Sequence, residues 1–181
     1  MALNYFVKRK RVLGFYFFDL TKDGLVRAED IETFGKNIAA KMNFQSGSDN
    51  YKKVTTGTNS YWAAFAPASD TNGDGSVTCD EFLSALSKVF ALPNGKQIME
   101  QLNTTMFDAM DVNGNGSISL DEYTIFLAAA GVSAETAQRA FRKLDLDSSG
   151  VISRGEFSQN IWDYWTSEDP TARGNWFFGN N

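Results

Sequence analysis

Apolar residues at helical spacing stop at four points along the chain, and at each point they resume about a dozen residues later. Phe15 and Phe18, Phe107 and Met110, and Phe141 and Leu144 stand three apart, each pair ending just before a polar stretch. Ahead of the second stretch stand Ala66 and Ser69 instead, with Tyr61, Trp62 and Phe65 upstream. Beyond the four stretches, Ile31, Phe82, Tyr123 and Phe157 open new apolar faces. A spacing of three or four places side chains on one side of a helix, so each unit reads as helix, loop, helix. Inside each stretch stands one β-branched residue: Val26, Val77, Ile118 or Ile152. Such a residue suits a short strand, and two such strands pair antiparallel between neighbouring units. The pattern predicts an all-α chain of helix–loop–helix units, first paired with second and third with fourth.

The four polar stretches align residue by residue: 19–30 (DLTKDGLVRAED), 70–81 (DTNGDGSVTCDE), 111–122 (DVNGNGSISLDE) and 145–156 (DLDSSGVISRGE). Each opens with Asp, alternates oxygen-bearing side chains, carries Gly at the sixth position and ends in a carboxylate. A hard divalent cation is held by such oxygens. Side chains at positions 1, 3 and 5, the carbonyl at 7, position 9 directly or through water, and the carboxylate at 12 supply them. This is the EF-hand calcium loop. Repeated four times, it predicts a compact calcium-binding globule of two EF-hand pairs taking three or four calcium ions.

The second loop is the most complete, with Asp70, Asn72, Asp74, the Ser76 carbonyl, Thr78 and Glu81. The fourth offers Asp145, Asp147, Ser149, the Val151 carbonyl, Ser153 and Glu156. The third offers Asp111, Asn113, Asn115, the Ser117 carbonyl, Ser119 and Glu122, with two formal charges where each other loop has three. The first departs furthest. Asp19, Thr21, Asp23 and the Leu25 carbonyl are in place, but position 9 is Arg27 and position 12 is Asp30. Arginine has no acceptor, so only water can serve there. The shorter carboxylate lowers coordination towards the six that magnesium demands, so magnesium is expected at this loop if anywhere.

The chain has 181 residues and a net charge of -5, with a pI near 4.8. That balance disfavours nucleic acid or an anionic membrane as partner. Histidine is absent, so no Ser–His or Cys–His pair and no His-based zinc site can form, and the chain is not expected to be an enzyme. The lone Cys79 allows no internal disulfide. No stretch is long and apolar enough to span a bilayer, and the Met-Ala start with its basic cluster does not read as a signal peptide, so a cytoplasmic monomer is the expectation. Residues 8–11 (KRKR) are expected to form a solvated helix face rather than a membrane or acidic-partner patch, and Trp162, Trp165 and Trp176 to serve packing rather than line a ligand pocket.

Residues 45–60 are polar and rich in Ser, Thr and Gly, so this connection is expected to have a loop in it; 92–95 (LPNG) is a short turn, and Ser133 a helix N-cap. The expected units are 1–92 and 93–165, with 166–181 as a tail packed on the body.

The first loop, the long insert after it and the ending 163–179 (DYWTSEDPTARGNWFFG) together resemble the invertebrate sarcoplasmic calcium-binding proteins and calexcitin. The resemblance implies a four-hand globule with a packed tail, binding calcium and often magnesium as a buffer or signal modulator. Members commonly carry a dead loop, often the second, whereas here the second is the most complete. The interior is rich in aromatics and poor in methionine, which favours a buffer over a sensor that opens a groove for target proteins. A calcium-dependent carrier of a small hydrophobic ligand, resembling luciferin-binding proteins, is the competing expectation.

Overall fold

The structure, a computed structural model, describes residues 4–179. Residues 1–3, which begin the first expected unit, and 180–181, which end the expected tail, lie outside the described residues. The elements run α1 (Tyr5–Phe18), β1 (Leu25–Arg27), α2 (Ala28–Lys41), α3 (Asp49–Ser69), β2 (Ser76–Thr78) and α4 (Cys79–Ala91). They continue with α5 (Gly95–Met110), β3 (Ser117–Ser119), α6 (Leu120–Ala129), α7 (Ala134–Leu144), β4 (Val151–Ser153), α8 (Arg154–Thr166) and a 3-10 turn at Arg173–Trp176.

The strands pair as the apolar pattern predicts. Val26 faces Val77 across β1 and β2, and Ile118 faces Ile152 across β3 and β4, both pairings antiparallel. All four side chains are buried. Burying a Val or Ile is worth about 1.5–3 kcal/mol, so each cross-strand pair fixes the register between two neighbouring loops.

One hydrophobic core runs through both pairs of hands. At its centre Phe17 of α1, Phe34 of α2, Phe126 of α6 and Phe178 of the C-terminal segment converge. Their centroids lie 5.7 Å apart for Phe17–Phe34, 5.6 Å for Phe17–Phe126, 5.0 Å for Phe34–Phe126 and 4.6 Å for Phe17–Phe178. Aromatic contacts of this kind add about 0.5–1.5 kcal/mol each beyond area burial.

One expectation is narrowed and another corrected. The loop expected within 45–60 ends at Ser48, whose hydroxyl accepts from Tyr51 N at 3.2 Å and starts α3. Gly47 makes the turn with a positive φ of 82°, whereas Gly57 lies inside the helix and marks a close approach between helices, as does Gly35 of α2. A Cβ on Gly57 would stand 3.0 Å from Ala109 Cβ on α5, and one on Gly35 of α2 would collide with Thr58. Close approach of neighbouring helices at these positions outweighs the weak helix propensity of the segment.

The basic cluster is the expectation that is corrected. Lys8 and Arg9 are exposed, but Lys10 and Arg11 are buried against α8 and the C-terminal segment. Lys10 Nζ donates to the carbonyls of Asp163 (3.2 Å) and Ser167 (2.8 Å) and to Asn175 Oδ1 (2.8 Å), using all three of its donors. Burial lowers its pKa to about 8, although Asp163 pulls it upward. Arg11 Nε donates to the Trp165 carbonyl at 3.1 Å, and Tyr164 returns its hydroxyl to the Lys10 carbonyl at 2.7 Å. Local sequence could not reveal this, because the acceptors, backbone carbonyls and the Asn175 side chain, lie some 153 to 165 residues away.

The tryptophans pack as expected. Trp165 lies against Phe82 (5.8 Å) and Phe178 (5.6 Å), and Trp162 against Phe90 (5.5 Å). A Cβ on Gly14 of α1 would overlap the Trp165 ring, whereas one on Gly155 of α8 would meet nothing within 4 Å. Gly14→Ala is therefore expected to lower stability by about 1–3 kcal/mol through overpacking. Gly155→Ala should raise it by up to about 1 kcal/mol through helix propensity. Urea unfolding of both variants checks the pair of signs.

Candidate metal centres

Each loop is held by a lattice of hydrogen bonds onto its first and last carboxylates. The first carboxylate folds over the middle of the loop. Asp19 accepts from Asp23 N (3.3 Å) and Gly24 N (3.0 Å), and Asp70 from Gly73 N (2.7 Å) and Gly75 N (2.9 Å). Asp111 accepts from Asn115 N (3.0 Å) and Gly116 N (2.9 Å), and Asp145 from Ser149 N (3.0 Å) and Gly150 N (2.9 Å). The turn is made by the sixth glycines, whose φ values are 85° at Gly24, 85° at Gly75, 83° at Gly116 and 86° at Gly150. A side chain rarely adopts that backbone conformation.

The last carboxylate ties the start of the loop to the helix that leaves it. One oxygen of Glu122 accepts from Val112 N (3.1 Å) and Asn113 N (3.4 Å), the other from Ser119 N (2.9 Å). Glu156 repeats this with Leu146 N (2.7 Å), Asp147 N (3.3 Å) and Ser153 N (2.8 Å). Glu81 accepts from Thr71 N (3.1 Å) and Thr78 N (3.0 Å). Asp30, one methylene shorter, makes the same set with Leu20 N (3.1 Å), Thr21 N (3.1 Å) and Arg27 N (3.0 Å), so the first loop closes more tightly at this end.

Position 9 has a second duty that the sequence pattern leaves hidden. Thr78, Ser119 and Ser153 are the N-caps of α4, α6 and α8, accepting from the backbone N of Glu81, Glu122 and Glu156. Their hydroxyls donate in turn to the same glutamates at 2.9, 2.8 and 2.7 Å. With the Thr78, Ser119 and Ser153 N–H groups donating to the same carboxylates, this completes a reciprocal capping box that holds the last carboxylate in place. Donors from Thr78 and Thr71 lower the Glu81 pKa to about 2, so this carboxylate is ionised at any pH near neutrality.

The intermediate positions differ among loops. In the fourth, carboxylate oxygens of Asp145, Asp147 and Glu156 all lie within 4.8 Å of one another. Ser149 Oγ donates to the Val151 carbonyl at 3.1 Å. In the second, Asn72 Nδ2 donates to Asp74 Oδ2 at 2.9 Å, and Ser76 donates to Asp74 Oδ1 through both its N (2.9 Å) and Oγ (2.6 Å). In the third, Asn113 Oδ1 accepts from Asn115 N at 2.9 Å, and Asn115 Oδ1 from Ser117 N at 2.9 Å. In the first, Thr21 lies 3.4 Å from Asp19, while Asp23 accepts from Leu25 N at 3.0 Å and pairs with Arg27 at 2.6 Å. The Arg27 hydrogen bond holds the Asp23 carboxyl below its usual range. Arg27 thus engages a ligand that the loop pattern assigns to the metal.

Sequence reasoning missed Lys53 of α3, which donates to the carbonyls of Asp111 (3.0 Å) and Val112 (2.7 Å) at the mouth of the third loop. Nothing in the local pattern marks it, because the contact spans some 58 residues.

The donor set fits a hard divalent cation. Asp19, Asp30, Asp111, Glu122 and Asp145 are buried, yet among the described residues no Lys or Arg pairs with any of them. Buried carboxylates without a positive partner are costly, and a metal ion removes that cost with oxygens alone. Arg27→Ser would release Asp23 and restore a hydroxyl at position 9. It is expected to raise calcium affinity at the first loop about fivefold, measured by calorimetry with the other sites unchanged.

The comparisons with known proteins agree with this geometry. The family model for the EF-hand domain pair matches residues 67–128 and 100–162, together more than half of the chain. No curated protein matches the chain significantly. Among solved structures, the coelenterazine-binding protein from Renilla muelleri, in its calcium-loaded apo form, is similar with a TM-score of 0.83 and 22% identity over 99% of this chain and 100% of that one. A calcium-binding protein from Streptomyces coelicolor gives 0.70 and 21%, over 97% and 99%. The sarcoplasmic calcium-binding protein from amphioxus gives 0.68 and 21%, over 99% and 100%. The chain belongs to the EF-hand domain pair family and is an EF-hand calcium-binding protein with the four-hand fold of the sarcoplasmic proteins.

Proposed function

We propose that this protein buffers calcium or modulates calcium signals, without opening a large groove for targets. The observation that carries the reading is the set of buried loop carboxylates without basic partners. Calcium would supply the missing positive charge there. We assign the ligands to the residues named for each loop, with three or four ions per chain and magnesium competing at the first loop. The filled interior supports a buffer. Met99, Met106 and Met110 are buried, and the two spaces within the central aromatic core measure about 10 Å³ each. Sensors expose flexible methionine-rich surfaces, whereas buffer hands barely open.

A calcium-dependent carrier of a hydrophobic ligand is the second reading, favoured by the fold shared with the coelenterazine-binding protein. The filled centre counts against a ligand held there. No helix among the described residues is long and apolar enough to cross a membrane. We propose a cytoplasmic monomer, with no catalytic role, whose working units are 1–92 and 93–165 with the tail 166–181.

Calorimetric titration of the chelated protein, with and without millimolar magnesium, is expected to count three or four calcium ions. Glu81→Gln and Glu156→Gln should each remove one site, and Asp30→Glu should raise the calcium preference of the first. Calcium at a hundredfold excess over Kd adds about 2.7 kcal/mol per site, so the melting temperature should rise on loading. An unchanged ion count in Glu81→Gln, or a large calcium-induced rise in binding of an apolar dye, would overturn the assignment.

A further inference from the structure

The third loop carries a cation of its own. Lys53 Nζ donates to the carbonyls of Asp111 at 3.0 Å and Val112 at 2.7 Å, the first two residues of the loop. The N–H groups in the same peptide planes as those carbonyls belong to Val112 and Asn113. Both donate to one oxygen of Glu122, at 3.1 and 3.4 Å. Two peptide units therefore stand side by side between an ammonium and the position-12 carboxylate. Each turns its carbonyl end to the cation and its N–H end to the anion. The charges polarise the amides between them, which strengthens every hydrogen bond in the chain. The ammonium also lies close to the turn of the loop, since a Cβ on Gly114 would stand 3.5 Å from it. The fourth loop has a weaker counterpart, in which Arg173 Nη1 meets the Leu146 carbonyl at 3.5 Å.

We propose that Lys53 is a resident counter-charge of the third loop, which stabilises that loop when no metal is bound and lowers its calcium affinity. The proposal rests on the assignment of Glu122 as a calcium ligand. This loop has two formal ligand charges, Asp111 and Glu122, where each other loop has three, and both are buried. An ammonium joined to Glu122 through two amides offsets part of that charge before calcium arrives. A divalent ion then neutralises the same carboxylates and is itself repelled by Lys53, so the lysine favours the unloaded loop. Lys53 is exposed, and water screens its charge, which limits the effect to a few-fold. The charge comes from outside the third hand: Lys53 belongs to α3, the helix that enters the second loop. Affinity at the third site is thereby tied to the packing of α3 on α5, where Gly57 meets Ala109.

Lys53→Met keeps the aliphatic stem and removes the charge. Calorimetric titration of the full chain at low salt is expected to show one site about threefold tighter than in wild type. The gain should fade in about 1 M NaCl, where the Debye length is about 3 Å. Chelated Lys53→Met should melt about 1–3 °C below chelated wild type, whereas the two calcium-saturated proteins should melt together. Lys53→Arg, which keeps the charge, should retain wild-type affinity. Glu122→Gln locates the effect: it should remove one ion from the count, and in that background Lys53→Met should leave the remaining affinities unchanged. An undiminished count in Glu122→Gln would overturn the ligand assignment and this proposal with it. Where that count does fall, unchanged or weaker calcium binding in Lys53→Met, or equal melting losses with and without calcium, would overturn this proposal alone.

Discussion

In every loop a single carboxylate accepts hydrogen bonds from both ends of its own twelve residues, and the rest of the site depends on that closure. Its oxygens gather the backbone N–H groups of positions 2 and 9, and in three loops that of position 3 as well. The chain entering the loop and the helix leaving it are therefore tied at one point. In the second, third and fourth loops the position-9 hydroxyl adds a reciprocal bond, so the helix start and the candidate metal cage share atoms. Stability of the exiting helix and affinity for the cation become linked quantities.

The two hands of each pair are joined by strands of three residues, too short to hold on their own. Their register is secured by the buried Val26–Val77 and Ile118–Ile152 contacts, which feed directly into the aromatic core. Phe17, Phe34, Phe126 and Phe178 then bring the first pair, the second pair and the C-terminal segment to a common centre. Lys10 adds a directional restraint to this apolar packing. Its three hydrogen bonds fasten α1 to α8 and to Asn175, linking the first helix to the last segment of the chain.

The loops are chemically graded by what competes for their oxygens. Asp145, Asp147 and Glu156 converge in the fourth. Asp23 in the first is held by Arg27, and the mouth of the third carries the ammonium of Lys53 on two carbonyls. Charge at positions 9 and 12, together with cations brought in by neighbouring helices, differentiates sites that share one backbone design.

The loop geometry was legible in the sequence because the oxygens and N–H groups that close each loop lie within twelve residues, where spacing alone sets their placement. The same holds for the helix–loop–helix repeat, the strand pairing at position 8 and the N-cap at Ser133, all of which follow from local periodicity and capping rules. Tertiary packing decided the rest. The glycine-bearing stretch 49–60 became helix because Gly57 and Gly35 permit close approach to other helices. Lys10 and Arg11 left solvent because backbone carbonyls from the far end of the chain, with the Tyr164 and Phe90 rings, received them. Lys53 reached the third loop, and Ser69 was buried without a partner, for the same reason. Partners distant along the chain have no fixed spacing, so their contacts exist only once the helices have packed.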